Sequence, residues 1–138
     1  MKRRGNNKGF SLVELIIVIA IMALLAGVLA PALLRYVEEA KMRTDEDKAA
    51  ELDNAVTIAS GELGVHEEIL ALTMPATLKF NPGTGFDNST GNIPTLKQYV
   101  EEIIPPEKMY FKSHTYDSPT SYYEVVIDVD GVEVTIKK

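Results

Sequence analysis

Hydrophobic and polar positions are unevenly distributed along this chain. From Leu15 to Leu34 twenty consecutive residues carry no charge, and at a rise of roughly 1.5 Å each a helix of that length crosses a hydrocarbon core of roughly 30 Å. Beyond it the pattern becomes amphipathic. Between Arg35 and Ser60 there is neither Pro nor Gly, and Ala49, Leu52, Val56, Ala59 and Leu63 recur at three- and four-residue spacing, the signature of one apolar helix face. Gly61 and Gly64 supply stop signals. The pattern predicts a single helix of about fifty residues from Phe10, roughly 75 Å long if straight. Pro31 should disturb it by removing one backbone hydrogen bond and crowding the preceding turn, and Gly27, four residues earlier, weakens the same stretch.

Past Gly64 the periodicity shortens. His66 to Leu72 predicts a short helical turn, and Thr73 to Pro94 is crowded with Pro, Gly and Asn, which predicts a connecting loop with one short strand near Leu78 to Phe80. Thr95 is placed to cap a helix through Ile104, with Leu96, Tyr99, Val100 and Ile103 on one face, ended by Pro105-Pro106. The strongest strand signal is C-terminal. Two β-branched runs flank Asp130-Gly131 between Tyr122 and Lys138, as in a two-residue hairpin. With those two residues as the turn, Val129 faces Val132, Ile127 faces Val134 and Val125 faces Ile136, giving an apolar face to lay on the Leu52, Val56, Ala59 stripe. The same register sets Glu124 against Lys137 but Asp128 against Glu133, and like charges opposed across a ladder are unfavourable. Lys108 to Lys112 would add a third strand.

Composition limits what such a chain can do. Its 138 residues allow one modest domain once the apolar stretch is set aside. Four of the 14 basic residues, Lys2, Arg3, Arg4 and Lys8, precede Gly9, so the remainder carries 10 basic against 20 acidic residues, a formal charge of −10. That acidic body argues against nucleic acid as a partner. The lack of cysteine excludes disulfides and thiol catalysis. Four basic residues before the apolar run and few after it leave the N-terminus in the cytoplasm and the acidic remainder outside. A cleaved signal peptide is the rival reading, with Ala30-Pro31-Ala32 as a small-residue site, but the apolar run is nearly twice the usual length and Glu14 would oppose insertion.

Glu14 is the residue that raises a question. A carboxylate in hydrocarbon costs roughly 2.5 to 3.5 kcal/mol at mid-helix and less near an end, so it needs either a partner or a position close enough to the headgroups to reach water. No Lys or Arg lies one turn after it. The stretch Lys8-Gly9-Phe10-Ser11-Leu12-Val13-Glu14-Leu15, followed by an apolar run containing Pro31, resembles the N-terminus of the type IV pilin superfamily.

The resemblance implies a dedicated membrane peptidase, the prepilin peptidase, that cuts after Gly9 and methylates the new amine on Phe10. It implies that Glu14 pairs with the Phe10 amine of a neighbouring subunit in a homo-oligomeric helical filament built by membrane assembly machinery. Before assembly the chain would sit in the cytoplasmic membrane, bathed in lipid, and afterwards in an extracellular pilus. In such filaments the segment ending at the proline can lose helicity, here Ala23 to Pro31 around Gly27; Ala23 stands where the family often has glycine.

The expected fold is α+β, a long N-terminal helix packed on an antiparallel sheet of about three strands. Its expected divisions are a leader 1–9, an apolar helix 10–34, an amphipathic continuation 35–61 and a head 62–138. The expected function is a pilus subunit for adhesion, motility or attachment, with a type II secretion or competence pseudopilin as the alternative and an anchored binding domain further off. No catalysis and no cofactor are expected. The missing cysteines also remove the C-terminal disulfide common in Gram-negative pilins.

Four weaker features have plainer readings. Asp128, Asp130 and Glu133 could offer oxygen ligands to calcium, as in some secretion-system relatives, but fit no defined calcium loop and read as a solvated turn. His66 and His114 lack metal or triad spacing. Asn88-Ser89-Thr90 matches the glycosylation sequon and also an ordinary polar loop. Tyr110, Tyr116, Tyr122 and Tyr123 could form an adhesive aromatic patch or simply strand core.

Overall fold

The computed structural model describes residues 9–87, 93–116 and 119–138. Helix α1 spans Leu12–Ser60 and α2 spans Leu63–Leu70; strands β1 (Ala76–Asn81) and β2 (Gly85–Phe86) follow, then α3 (Pro94–Ile103), a 3-10 turn at Pro106–Lys108, β3 (Tyr122–Asp128) and β4 (Gly131–Lys137). The chain divides into two units, one up to Val37 and the other from Glu38 to Lys138.

In the first unit every described side chain is exposed, Leu24 at 68% and Val28 at 70% among them. α1 runs through Gly27 and Pro31 without interruption, so the expected disturbance is absent from the single chain. Pro31 still has no N–H to donate, and the carbonyl of Gly27, four residues back, is the group left without its helical donor.

The second unit has a single core. Leu52 and Val56 from α1, Val65 from α2, Leu78 and Phe80 from β1, Leu96 and Val100 from α3, and Tyr123 and Val125 from β3 are all fully buried in one cluster. Burial of an aliphatic side chain of this kind contributes about 1.5 to 3 kcal/mol. Phe80 stacks edge-on against Phe86, ring centroids 5.1 Å apart at 90°, the geometry the ring quadrupoles favour. The core stripe of α1 ends at Ala59. Leu63, which the spacing places on it, is 88% exposed, because the break at Gly61 restarts the helical phase.

The sheet is antiparallel with four strands in the order β2-β1-β3-β4. The α+β class is as expected, with one strand more. Lys108 to Lys112 is not among them: the segment leaves the 3-10 turn as irregular chain, and its backbone donors go elsewhere, as described below. The place of the third strand is taken by β1, which pairs with β3 through Leu78↔Val125 and Phe80↔Tyr123. α3 begins one residue before Thr95, since Pro94 takes the first helical position, where its fixed φ suits and its missing N–H costs nothing. The capping acceptor comes from another element: Glu68 of α2 takes the N–H groups of Thr95 and Leu96 at 3.0 to 3.1 Å. Burial raises the Glu68 carboxyl, but those bonds and the Thr95 hydroxyl outweigh it and hold it below its usual range.

The hairpin register differs from the expected one. The turn is Val129-Asp130, and the pairs are Asp128↔Gly131, Ile127↔Val132, Val125↔Val134 and Tyr123↔Ile136. Neither Val129 nor Asp130 has positive φ, whereas Gly131 does at 145°, so the mirror-image turn that Asp130-Gly131 would have centred is not formed. The two-residue slip keeps the same residues on the core face and removes the opposition of Asp128 and Glu133. Glu124 and Lys137 still meet, at 3.0 Å.

Gly131 meets no neighbouring atom where a side chain would stand, so its conformation alone restricts it. Gly131→Val should lower stability by about 1 to 3 kcal/mol through backbone strain. Thermal melting of the full chain in micelles measures this, and an unchanged midpoint would contradict the turn.

Candidate functional site

The N-terminal site is built by the first turn of α1. Gly9, Phe10 and Ser11 precede the helix, and Phe10 is 93% exposed. Ser11 stands at the N-cap: its Oγ accepts the N–H of Val13 at 3.3 Å. Glu14, three residues on, returns the interaction, its Oε2 accepting the N–H of Ser11 at 2.8 Å. This is a capping box, in which two donors that the helix cannot satisfy internally are satisfied reciprocally. The Ser-Leu-Val-Glu spelling carries that signal, yet reading Glu14 only as a charge in hydrocarbon passes over it. The carboxylate also lies at the positive end of the helix dipole. In the single chain Glu14 therefore has a local role, and Oε1 is left for a second donor.

Behind this turn α1 is long and apolar enough to cross a membrane, by length and composition. Its apolar side chains from Leu12 to Leu34 find no partner within their own unit. A surface of that size stays dry only in lipid or against other protein.

A second constellation lies in the head. Asp45 is fully buried on α1 and accepts three contacts from two backbone groups, Lys112 N–H at 2.8 and 3.0 Å and Ser113 N–H at 2.8 Å. Lys48, one turn on, donates from Nζ to the carbonyl of Tyr110, and Glu38 accepts the N–H of Thr115 at 3.2 Å. The segment from Tyr110 to Thr115 is thus fastened to α1 by side chains where a strand would have used a ladder. Desolvation lowers the Lys48 ammonium from its usual range, with Asp45 opposing the shift. Burial, aided by the Asp45 charge, pushes the Tyr123 phenol up.

The other expected sites are dispersed. Asp128 Oδ1 accepts the N–H of Val129 at 2.7 Å, Glu133 lies across from Val126, and among the described residues no three His, Cys, Asp or Glu side chains converge on a metal position. Asp128, Asp130 and Glu133 stand at the turn and on the outward face of the hairpin. His66 and His114 are both exposed. The sequon at Asn88 lies outside the described residues. The tyrosines do not form one patch, since Tyr123 is core while Tyr122 carries the Lys79 ammonium 4.6 Å from its ring centre.

Comparison with known proteins bears on the N-terminal site. The prokaryotic N-terminal methylation motif matches residues 4–30. Over 105 residues, 76% of this chain and 74% of the relative, the sequence is 25% identical to prepilin peptidase-dependent protein A of Clostridium perfringens (strain 13 / Type A). No solved structure matches. The methylation motif and this relative support a type IV pilin-like or pseudopilin protein, and the long apolar helix continued into an α+β head fits the pilin fold.

Proposed function

We propose that this chain is the structural subunit of a type IV pilus, a helical polymer of copies of itself, and that its role is assembly and surface attachment rather than catalysis. The observation that supports the reading best is the pairing of a Gly9-Phe10 junction with an apolar helix whose side chains find no partner in their own unit. A membrane anchor alone needs the helix but not the junction. Cleavage after Gly9 releases a cationic amine on Phe10 at the level of the first helical turn, where Glu14 keeps one carboxylate oxygen available. Between neighbouring subunits that amine and carboxylate neutralise each other in a packed bundle, and the apolar surface shown to lipid before assembly becomes the filament interior. Weakening of α1 around Gly27 and Pro31 belongs to that packed state. The partners are the prepilin peptidase, the membrane assembly machinery and further copies of the chain, with the acidic head displayed outside.

Mass spectrometry of the protein recovered from the cell surface tests the processing step. The chain should begin at Phe10 and be heavier by one methyl group. A mature start at or beyond Ala32 would instead make the apolar run an ordinary signal peptide and remove the filament reading with it.

A further inference from the structure

Two surfaces of the head complement each other and cannot meet within one chain. The first is the segment that the sheet does not take up. From Lys108 to His114 the chain alternates as a strand would: Met109 and Ser113 are buried and Phe111 packs on the core, while Lys108, Tyr110, Lys112 and His114 are exposed. Its backbone is tied to α1 through Asp45 and Lys48, so the outward row is in place before any partner arrives. Tyr110 lies within it, 57% exposed, with a lysine two residues to either side and no acidic residue from Lys108 to His114. This is a basic row on an otherwise acidic head.

The second surface is a groove of about 460 Å³ between α1 and β4. Glu46 and Asp53 line it from α1, two helical turns apart on one face, with Ala50 between them, and Val134 and Ile136 line it from β4. No described lining residue is Lys or Arg, and residues 117–118, which follow Tyr116 of the lining, are Asp and Ser. None of Glu46, Asp53, Lys108 and Lys112 forms an ion pair among the described residues. At about 100° per residue, Lys48 leaves one side of the buried stripe of α1 while Glu46 and Asp53 leave the other. Row and groove therefore lie on opposite flanks of the head, where two copies side by side would bring them together.

We propose that the basic row of one subunit seats in the acidic groove of the next, Tyr110 over Ala50, with Lys108 and Lys112 paired to Glu46 and Asp53. The dimensions agree. Two helical turns separate the carboxylates by about 11 Å, and four residues of extended chain separate the lysines by about 13 Å, a difference that flexible side chains absorb. An aromatic anchor on an apolar floor with charges at the rim is the ordinary anatomy of a protein interface. Because the two patches differ, the contact is heterologous and repeats from copy to copy as an open polymer. The inference deepens the filament reading and rests on it.

Charge reversal tests the pairing in cells. Lys108→Glu with Lys112→Glu, or Glu46→Lys with Asp53→Lys, should each cut the yield of sheared filaments, relative to membrane-held protein, about tenfold or more. All four changes together should bring it back to within about threefold of the parent. Recovery by a second pair of changes is something that damage to the fold would not give. The contact itself is read from Tyr110→Cys combined with Ala50→Cys, in a chain with no other cysteine. Oxidised within filaments, this double variant should form a disulfide ladder beyond the dimer, and each single variant should not. The proposal is overturned if the fourfold variant assembles no better than the two pairs, if either pair assembles like the parent, or if filaments of normal appearance give no ladder. A cross-link from position 110 to a different protein in place of the ladder would also overturn it. Any of these results with filaments from the parent leaves the filament reading standing, whereas a parent that makes none overturns both.

Discussion

Glu14→Ala should leave the chain in the membrane and abolish filaments. Removing a carboxylate from an apolar run favours insertion, so membrane levels should hold or rise. In the packed bundle, however, the Phe10 amine of a neighbour would lose its counter-ion, and breaking a buried pair costs roughly 3 to 5 kcal/mol. The penalty recurs at every subunit added, so even its lower end suppresses polymerisation. Alanine also breaks the capping box, since the N–H of Ser11 loses the acceptor it now reaches at 2.8 Å. Glu14→Gln separates the two effects. Its amide oxygen can still accept from Ser11 and keep the helix start, while its charge is gone. Electron microscopy of cells producing each variant, with membrane levels checked by blotting, should show no filaments for either. Normal filaments from both would reduce Glu14 to a capping residue, and filaments from glutamine alone would assign its effect to the helix terminus.

Asp45→Ala should be the most destabilising single change in the head. Two backbone donors, those of Lys112 and Ser113, end on its carboxylate, and Ser113 is fully buried beside it. A buried donor left unsatisfied costs about 1 to 3 kcal/mol, a penalty that falls in full on Ser113 and only in part on Lys112, which is exposed. That penalty is a large share of a typical domain stability of about 5 to 15 kcal/mol. Asp45→Asn keeps one acceptor oxygen and should fall between parent and alanine. Circular dichroism melting of the full chain in micelles orders the three. Coincident curves for alanine and parent would mean that the segment after Tyr110 is not secured through this carboxylate.

Asp45 also shows what could be read from the sequence and what was passed over. The stripe Ala49, Leu52, Val56, Ala59 predicts the buried face of α1, and all four residues lie in the core. Continued one turn back, the same spacing lands on Asp45. A carboxylate at a core position is a mark of a specific partner, but the acidic run around it, Asp45 to Asp47, hides it as solvated charge. Its partners are backbone groups more than sixty residues away, and no local pattern names them.

The hairpin teaches the opposite lesson. Asp130-Gly131 is a strong local turn signal, and it misplaces the register by two residues because the turn formed needs positive φ only at Gly131. The opposition of Asp128 and Glu133 in the expected register was itself the clue, since a two-residue slip keeps the apolar face and removes the conflict. The strand at Ala76–Asn81 was legible only as a fragment. Its length is set by pairing with β3, a contact that the turn-rich residues around it do not announce.

At the N-terminus the signal is concentrated: Arg4, Lys8, the Gly9-Phe10 junction, Glu14 and most of the apolar run lie within residues 4–30, where the methylation motif matches. Ser11 is the quietest part of that signal, and its capping box has a consequence for processing as much as for the helix. A processing enzyme must grip its substrate as open chain, because a peptide bond inside a helix has its carbonyl and N–H turned inward to their own hydrogen bonds. By fixing the first turn at Leu12, the box stops α1 from winding back across the Gly9-Phe10 bond, which is left outside the helix. The residues that begin the spine of the protein thereby keep the proposed cutting site readable.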